Sequence, residues 1–539
     1  MTSFLILTFI FVRAASKHRV SEGHIARSFL EPAVHYATSA YQKILSFTSL
    51  GNFNASLYHS LLARQDSTEW KHSERVALDR LAERDRCLEI IRVKKGSNSM
   101  SSEVDEAAKT ELKSLIAHCN VLSREIDIDA KEKESIQQMF EVVLRSSLSS
   151  FAQVLQLSPS NDLAIIFHVV KLWLTNTQNP AVAEVMHNLI SKSPSYKFVP
   201  LQYQIISRLG SNCHQKHRLL LSELISKLCI DHPYHTLPQL FAILNEKLQK
   251  QSTNSTVGSE RTTAAEKILS GIILLESSAP VVESTAAMLT AYISLAQAST
   301  SSQQQTGKLK DITFKEIQSR EDCFTNFLSR LKTPPAVITI STRLDPGRIY
   351  DDVVKVVAFS NKFSITESGV SRPKIIECEG SDGKAYKQLV KGGDDLRQDL
   401  VMQQVFETVN TTLRNNAATR ERHLSIRTYK IIPLTSQTGV LEWVNNTIPF
   451  GSYLTDRGDE KGAHSRYYPQ DFSHNKCRDL LKSASTNEER LSVFAKICDN
   501  LHPVFRFFFV ENYQDPARWM SCRMAYTRSV AVRLLSIST

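Results

Sequence analysis

Lys391 stands where an apolar strand gives way to an acidic helical turn, in the run Leu389-Val-Lys391-Gly-Gly-Asp394-Asp395-Leu-Arg-Gln-Asp399. Ala385 to Val390 can run as a strand, and Leu396, Leu400, Val405, Val409 and Leu413 then recur at helical spacing. Asp394, Asp395 and Asp399 fall in the first helical turn, where the helix dipole favours anions. A fixed cation beside carboxylates, on the lip of a cleft, is what a nucleotide kinase needs to hold phosphate. The plain alternative is a salt bridge at a strand–helix corner, and composition alone weighs the two about equally.

Two further stretches carry chemistry on the same reading. Thr366-Glu-Ser-Gly-Val-Ser-Arg372 lies between strands and offers Ser368, Gly369 and Ser371 as small groups around a phosphate, although an ordinary hairpin turn has the same composition. Thr438-Gly-Val-Leu-Glu-Trp-Val444 reads as a strand with apolar walls at Leu441 and Trp443. Read from the residues alone, it is a buried strand with a core tryptophan. Tyr429 is placed on a strand from Ile426 to Ile432.

The elements that must position these residues follow from periodicity. Residues 20 to about 300 read as helix after helix, with polar breaks at 95–104, 175–181, 249–263 and 298–307. This predicts an α-solenoid of stacked helical pairs, or an irregular bundle, since no strict repeat is seen. After about 335 the pattern turns to strands: Ala336–Ser341, Val353–Phe359, a hairpin from Pro373–Glu379 to Ala385–Val390 across Gly380–Gly383, then Ser425–Pro433 and Val440–Val444. Ser360 to Arg372 reads as a polar turn. Helices return from about 453, including Glu489–Leu501, and an aromatic run, Phe505–Phe509, follows.

Composition narrows the class. With 42% hydrophobic and 22% charged residues, 539 residues suit two to four domains. A net charge of +10 mildly favours acidic or phosphorylated partners without singling out nucleic acid. Nine scattered cysteines, with no C-x-x-C pair, suggest free buried thiols in a reducing compartment. Cys213-His214-x-x-His217 lacks a second ligand pair and reads as packing. No stretch approaches the ~20 apolar residues of a bilayer span. The apolar Phe4–Val12 has no preceding basic residue and is expected to be a buried helix or irregular start, not a signal peptide.

The string K-G-x-D-D-L-R-Q-D resembles the lysine strand and following helix of the phosphatidylinositol-3-kinase-related kinases, and Gln388–Phe406 resembles their ATM-type branch. Tyr196–Gln204 and Asp231–Leu237 resemble segments of that branch's helical FAT region. Read from the residues alone, the first is a proline-interrupted helix start and the second a helix end with a proline restart. His232 and His235 read there as packing or hydrogen-bonding residues.

The resemblance implies a mainly α chain followed by α+β. A FAT-like solenoid spans 1–310, a linker 311–344, a kinase N-lobe of antiparallel sheet plus helix 345–452, and an incomplete helical C-lobe 453–539, diverging after Ala531. It implies an ATP site in which Lys391 contacts phosphate, Asp394, Asp399 and Tyr429 line the inner pocket, and Leu441 to Val444 form the hinge, where Leu389, Leu441 and Trp443 sandwich the flat base and backbone groups of Glu442 and Val444 pair with its edge. Ser/Thr protein kinase activity in the DNA-damage response, a nuclear location, protein partners through the helical region, action at DNA ends with sensor proteins, and a homodimer are further expectations.

The family's G-D-R-H-x-x-N and D-F-G-type motifs do not occur in the 539 residues. Mg²⁺ is expected for the family, but those ligands are missing, so ATP is expected to bind weakly and transfer to be impaired. A non-catalytic helical scaffold or regulatory fragment is the alternative expectation, and a lipid kinase the third.

Overall fold

The computed structural model describes residues 22–97, 106–159, 162–246, 256–305, 309–318, 324–366, 372–456 and 459–538. The chain forms two compact units. The first draws on Met1–Thr236, Ser252–Ala279 and Leu344–Asp351, the second on Leu237–Gln251, Pro280–Arg343 and Asp352–Thr539. The apolar Phe4–Val12 lies outside the described residues.

The first unit is helical, as the periodicity predicts. Its main helices are α1 (Ala40–Gln65), α2 (Thr68–Ser97), α3 (Glu106–Leu157), α4 (Leu163–Thr175), α5 (Pro180–Lys192), α6 (Gln215–Asp231), the start of α7 (Pro233–Asn245) and α8 (Thr256–Ile273). Neighbours pack in succession: α1 on α3, α3 on α5, α5 on α6, and α6 on α8. Ser39 opens α1 with a capping box completed by Gln42. Gly51 lets α1 lie against the Phe151 ring of α3, where a Cβ would sit 2.6 Å from a ring carbon. The Ser147 hydroxyl donates to the Gly51 carbonyl at 3.0 Å across the same seam.

Between α2 and α3 the apolar seam is thin, centred on Cys87, Ile91 and Cys119. Ion pairs flank it, including Arg80 with Glu125 (3.1 Å) and Asp129 (2.7 Å). Eight cysteines among the described residues are free, five of them buried. His217 accepts from the Trp173 indole N–H (2.9 Å) at Nδ1 and donates from Nε2 to the Asn179 carbonyl (2.7 Å), so it is a satisfied core residue.

Both FAT-like strings fold as read. Ser195–Leu201 is a 3₁₀ turn leading into a helix at Gln202, and α6 ends at Asp231 before Pro233 restarts α7. They meet in a buried cluster. Ser195 donates to Asp231 (2.6 Å), and the His232 Nε2 lies 3.0 Å from the Ser195 hydroxyl. Tyr350 Oη lies 2.6 Å from His232 Nδ1, and Arg348 pairs with Asp231 at 3.1 Å. Because the Ser195 proton goes to Asp231, a neutral imidazole satisfies the set: Nε2–H donates to Ser195 and Nδ1 accepts from Tyr350.

Burial pushes the His232 imidazole down from 6.5 to about 4, outweighing Asp231. A depressed histidine contributes stability that is complete above the unfolded value and lost as pH falls toward the folded one. Wild type is therefore expected to lose thermal stability between pH 6.5 and about 4 more steeply than His232→Gln, measured by melting across that window. Parallel pH slopes would refute the assignment.

The second unit is built on a seven-stranded antiparallel sheet. Its strands are β1 (Ile312–Thr313), β2 (Val356–Phe359), β3 (Lys362–Ile365), β4 (Lys374–Gly380), β5 (Ala385–Gly392), β6 (Ile431–Pro433) and β7 (Thr438–Glu442), in the order β1-β3-β4-β5-β7-β6, with β2 also on β4. Two helices belong to its core, α9 (Ala279–Gln297) and α10 (Arg397–Asn415). After two short helices at Phe450–Leu454 and Ala463–Tyr467, four longer ones follow the sheet: α11 (His474–Ser483), α12 (Asn487–Asp499), α13 (Arg506–Asn512) and α14 (Pro516–Ser538).

Several expectations need correction. The stretch 360–372, read as a polar turn, contains β3, whose Phe363 and Ile365 alternate into the core. Of Ala336–Ser341, only Ala336 makes a ladder contact, an isolated bridge to Lys355. The 311–344 stretch carries β1, paired to β3, and Phe314 and Phe324 stacked into an aromatic cluster with Phe359 and Phe363. The helix α9 is long and apolar enough to cross a membrane, contrary to the reading that no stretch is. Here Leu289, Tyr292 and Leu295 are wholly buried. Phe505 to Phe509 cover one another: Phe507 stacks on Tyr467 at 3.8 Å and Phe509 is buried. Exposed apolar side chains lie elsewhere, at Leu491, Phe494, Leu534 and Leu535.

Candidate functional site

The sheet register brings the chemistry together. In antiparallel strands, directly opposed residues share a face. Ile375 opposes Leu389, Leu389 opposes Leu441, and Lys391 opposes Gly439. Ile375, Leu389 and Leu441 thus form a half-buried apolar row across β4, β5 and β7, with Lys391 one step along the same face of β5. The other face, carrying Lys374, Gln388, Val390 and Val440, is buried.

The diglycine after Lys391 has two separate causes. A Cβ on Gly392 would lie 2.8 Å from the Ala296 carbonyl oxygen of α9. Gly393 takes φ +73°, which side chains resist. The chain turns within two residues, and the Asp394 N–H donates to the Gln437 carbonyl at 3.1 Å. That turn aims the Asp394 carboxylate back at the Lys391 ammonium, and the two form an ion pair.

Asp395 faces the helix instead. It accepts from the Arg397 N–H (3.0 Å) and guanidinium (2.7 Å), and these hold its carboxyl below the usual range. Asp399 is exposed on the first turn of α10, with no polar partner among the described residues.

At the other end of the row, β7 leads into the hinge-like segment. The Glu442 carboxylate accepts from the Lys430 N–H (2.9 Å), and the Glu442 N–H donates to the Lys430 carbonyl (2.9 Å). The Trp443 N–H donates to the Lys387 carbonyl at 3.2 Å. These two N–H groups are therefore committed to the sheet. The Val444 N–H carries no hydrogen bond among the described residues. Burial pulls the Lys430 ammonium below its ordinary range, although Glu407 and Glu442 oppose the shift.

Tyr429 precedes β6; the strand expected from Ile426 starts at Ile431. The reason is α10: the Asn410 side chain takes both backbone groups of Ile426 (2.8 Å each), and Gln403 accepts the Tyr429 N–H (3.2 Å). Ser368, Gly369 and Ser371 lie outside the described residues; at the flanking strand ends the Thr366 N–H donates to the Pro373 carbonyl at 3.0 Å.

A cleft of 670 Å³ opens on the same sheet face, lined by Ser364, Thr366, Ile375, Glu377, Lys387 and Trp443 among others; Leu389, Lys391, Asp394 and Leu441 are not part of its lining. Its size suits a nucleotide-sized ligand. Sequence reasoning missed Ile375, Glu377 and Lys387. In Lys374-Ile-Ile-Glu377 either isoleucine could share the face of Lys391, and only the pairing with Leu389 decides. No cluster of three or more His, Cys, Asp or Glu side chains suited to a metal ion occurs among the described residues.

Comparison with known proteins agrees with this geometry. The Phosphatidylinositol 3- and 4-kinase family model matches residues 385–536. The "Serine/threonine-protein kinase ATM" of Arabidopsis thaliana is 33% identical over 526 residues, covering 94% of this chain and 13% of that protein. The "Serine-protein kinase ATM" of Sus scrofa is 36% identical over 437 residues, covering 76% of this chain and 14% of that protein. The solved "FAT and kinase domain of CtTel1" superposes with a TM-score of 0.77 at 26% identity, covering 99% of this chain and 34% of that chain. This chain thus spans about one seventh of the curated relatives it matches. In sequence over the lysine strand and hinge, and in fold from the helical unit through the sheet, it belongs to the ATM-like phosphatidylinositol-3-kinase-related kinases.

Proposed function

We propose that the chain forms the FAT-like scaffold and the nucleotide-binding half of an ATM-type serine/threonine protein kinase. The observation that carries this reading is one sheet face holding the Lys391–Asp394 pair beside the Ile375–Leu389–Leu441 row. Adenine lies on that row with the Val444 N–H at its edge and Trp443 closing the end, and Lys391 meets the phosphates. Bound ATP supplies the phosphoryl group. These residues bind and orient it, with Asp394 steering the ammonium, Tyr429 and Asp399 lining the inner pocket, and Ser368, Gly369 and Ser371 as further phosphate contacts. Mg²⁺ belongs to the family's chemistry; no cluster of three or more metal-ligating side chains occurs among the described residues, and no step is assigned to it.

The wider role we propose is transfer of the ATP γ-phosphate to protein Ser/Thr in the DNA-damage response, in the nucleus, with protein partners on the helical unit and sensor proteins at DNA ends. A homodimer fits the same reading, because one similar structure is titled "Complete CtTel1 dimer with C2 symmetry". The 539 residues contain neither G-D-R-H-x-x-N nor D-F-G, so this chain by itself is proposed to bind ATP weakly without transferring phosphate.

Titration calorimetry on the purified chain is expected to give ATP binding in the submillimolar range, on the order of 5 kcal/mol. Absence of binding at millimolar ATP would sink the nucleotide reading. Labelled γ-phosphate appearing on protein, and lost in Lys391→Ala, would sink the claim that the chain alone does not transfer it.

A further inference from the structure

The face of β5 opposite the cleft is held by polar contacts. Gln388 is wholly buried, and its Oε1 accepts from the Tyr292 hydroxyl of α9, itself 0% exposed. The Gln388 Nε2 donates to Thr339 Oγ1 at 3.1 Å and reaches Cys378 Sγ at 3.5 Å. Lys374, on the neighbouring strand, is 5% exposed and donates from Nζ to the Ala296 carbonyl of α9 at 3.2 Å. The Gly392 backbone sits against that same carbonyl. A purely apolar contact resists separation but tolerates sliding. A buried hydrogen bond is directional, and moving β5 by even one ångström along its axis would orphan several groups at once.

We propose that Tyr292 and Gln388 are positioning residues. Through the backbone of β5 they fix where Lys391, three residues beyond Gln388, presents its ammonium on the opposite face of the sheet. The inference rests on the nucleotide reading above only for its functional consequence. The packing around the pair supports the assignment. Tyr292 is wedged between Phe324 (5.3 Å) and Phe359 (6.3 Å), so its hydroxyl cannot follow a shifted strand. Thr339 and Cys378 bracket the Gln388 amide from two other segments, which fixes its rotamer.

The test compares Tyr292→Phe, Gln388→Met and the double variant with wild type, using the 539-residue chain. Three quantities are read: the melting midpoint, ATP affinity by titration, and hydrogen exchange of the Leu389–Gly392 amides. Gln388→Met orphans the tyrosine hydroxyl and Tyr292→Phe orphans the amide oxygen, so each single variant is expected to melt lower. Removing both partners leaves neither of these orphans, although Thr339 Oγ1 still loses its Gln388 donor, and the double variant is expected to melt above Gln388→Met.

A structural role alone predicts that affinity and exchange recover with it. A positioning role predicts that ATP affinity stays about tenfold weaker and the β5 amides exchange about tenfold faster, because the directional restraint is gone. Recovery of both in the double variant would overturn the proposal. Should wild type bind no ATP, the nucleotide reading fails by itself. The exchange comparison still decides this one, and unchanged β5 exchange in the double variant would refute it.

Discussion

Lys391→Ala is expected to weaken ATP binding about 10- to 100-fold while leaving the melting midpoint almost unmoved. The two halves of that expectation have different causes. A hydrogen bond to a charged group is worth roughly 1.5–3 kcal/mol, which sets the loss of affinity. The ion pair it replaces in the unliganded chain is partly open: the Lys391 side chain is 25% exposed and Asp394 is 48% exposed. Pairs of that kind contribute about 0–1 kcal/mol to stability.

Asp394→Asn makes the companion measurement. It frees the ammonium without removing it, so affinity is expected to fall less than in Lys391→Ala. Asp399→Asn is expected to fall least, since that carboxylate is exposed on α10 away from the ion pair. Equal ATP affinity in wild type and Lys391→Ala would remove the phosphate role of the lysine, whatever else the cleft binds.

The legible part of this fold was the part written in periodicity or in turn chemistry. The helices of the first unit show 3.6-residue spacing, and the β4–β5 hairpin announces itself through alternation around Gly380-Ser-Asp-Gly383. Two kinds of feature escaped. Short strands in polar company gave no run long enough to count, as with β3, where only Phe363 and Ile365 mark the core face. Near Tyr429, local β propensity lost to a tertiary contact, because Asn410 satisfies the Ile426 backbone and keeps it out of the sheet.

The site divides the same way. Lys391 and Asp394 are adjacent in sequence, so their meeting could be read from the strand–helix junction. The facing of Ile375 depends on register with a strand that sequence alone does not align. Buried polar side chains were hardest. Gln388, Lys374 and Lys197 are residue types that normally face water, and only the partners around them explain why they do not.

Lys197 carries the largest stability effect expected in the chain. It lies in the string Tyr196-Lys-Phe-Val-Pro, which carried no evident chemistry as sequence, yet its side chain is 1% exposed. The ammonium donates to the Leu155 carbonyl (2.8 Å), the Ser158 carbonyl (2.7 Å) and the Asp162 carboxylate (3.2 Å). It thus uses all three protons at the C-terminus of α3, where carbonyls lack intrahelical partners and the dipole favours a cation. Ser158 reinforces the arrangement by donating to the other Asp162 oxygen at 3.0 Å.

Lys197→Met keeps most of the volume but leaves two carbonyls and a carboxylate facing a thioether. Breaking a buried pair from one side costs about 3–5 kcal/mol, or roughly 10 °C in the melting of a helical unit of this size. Adding Asp162→Asn removes the stranded charge and is expected to return part of the loss, a coupling read directly from a double-mutant cycle. High salt should leave the loss unchanged, because a buried pair is poorly screened. If Lys197→Met melted within a degree or two of wild type, the ammonium would not be what anchors α3 to the FAT-like turn. The hydrophobic contacts of Phe198 and Leu201, both buried beside it, would then have to hold that junction alone.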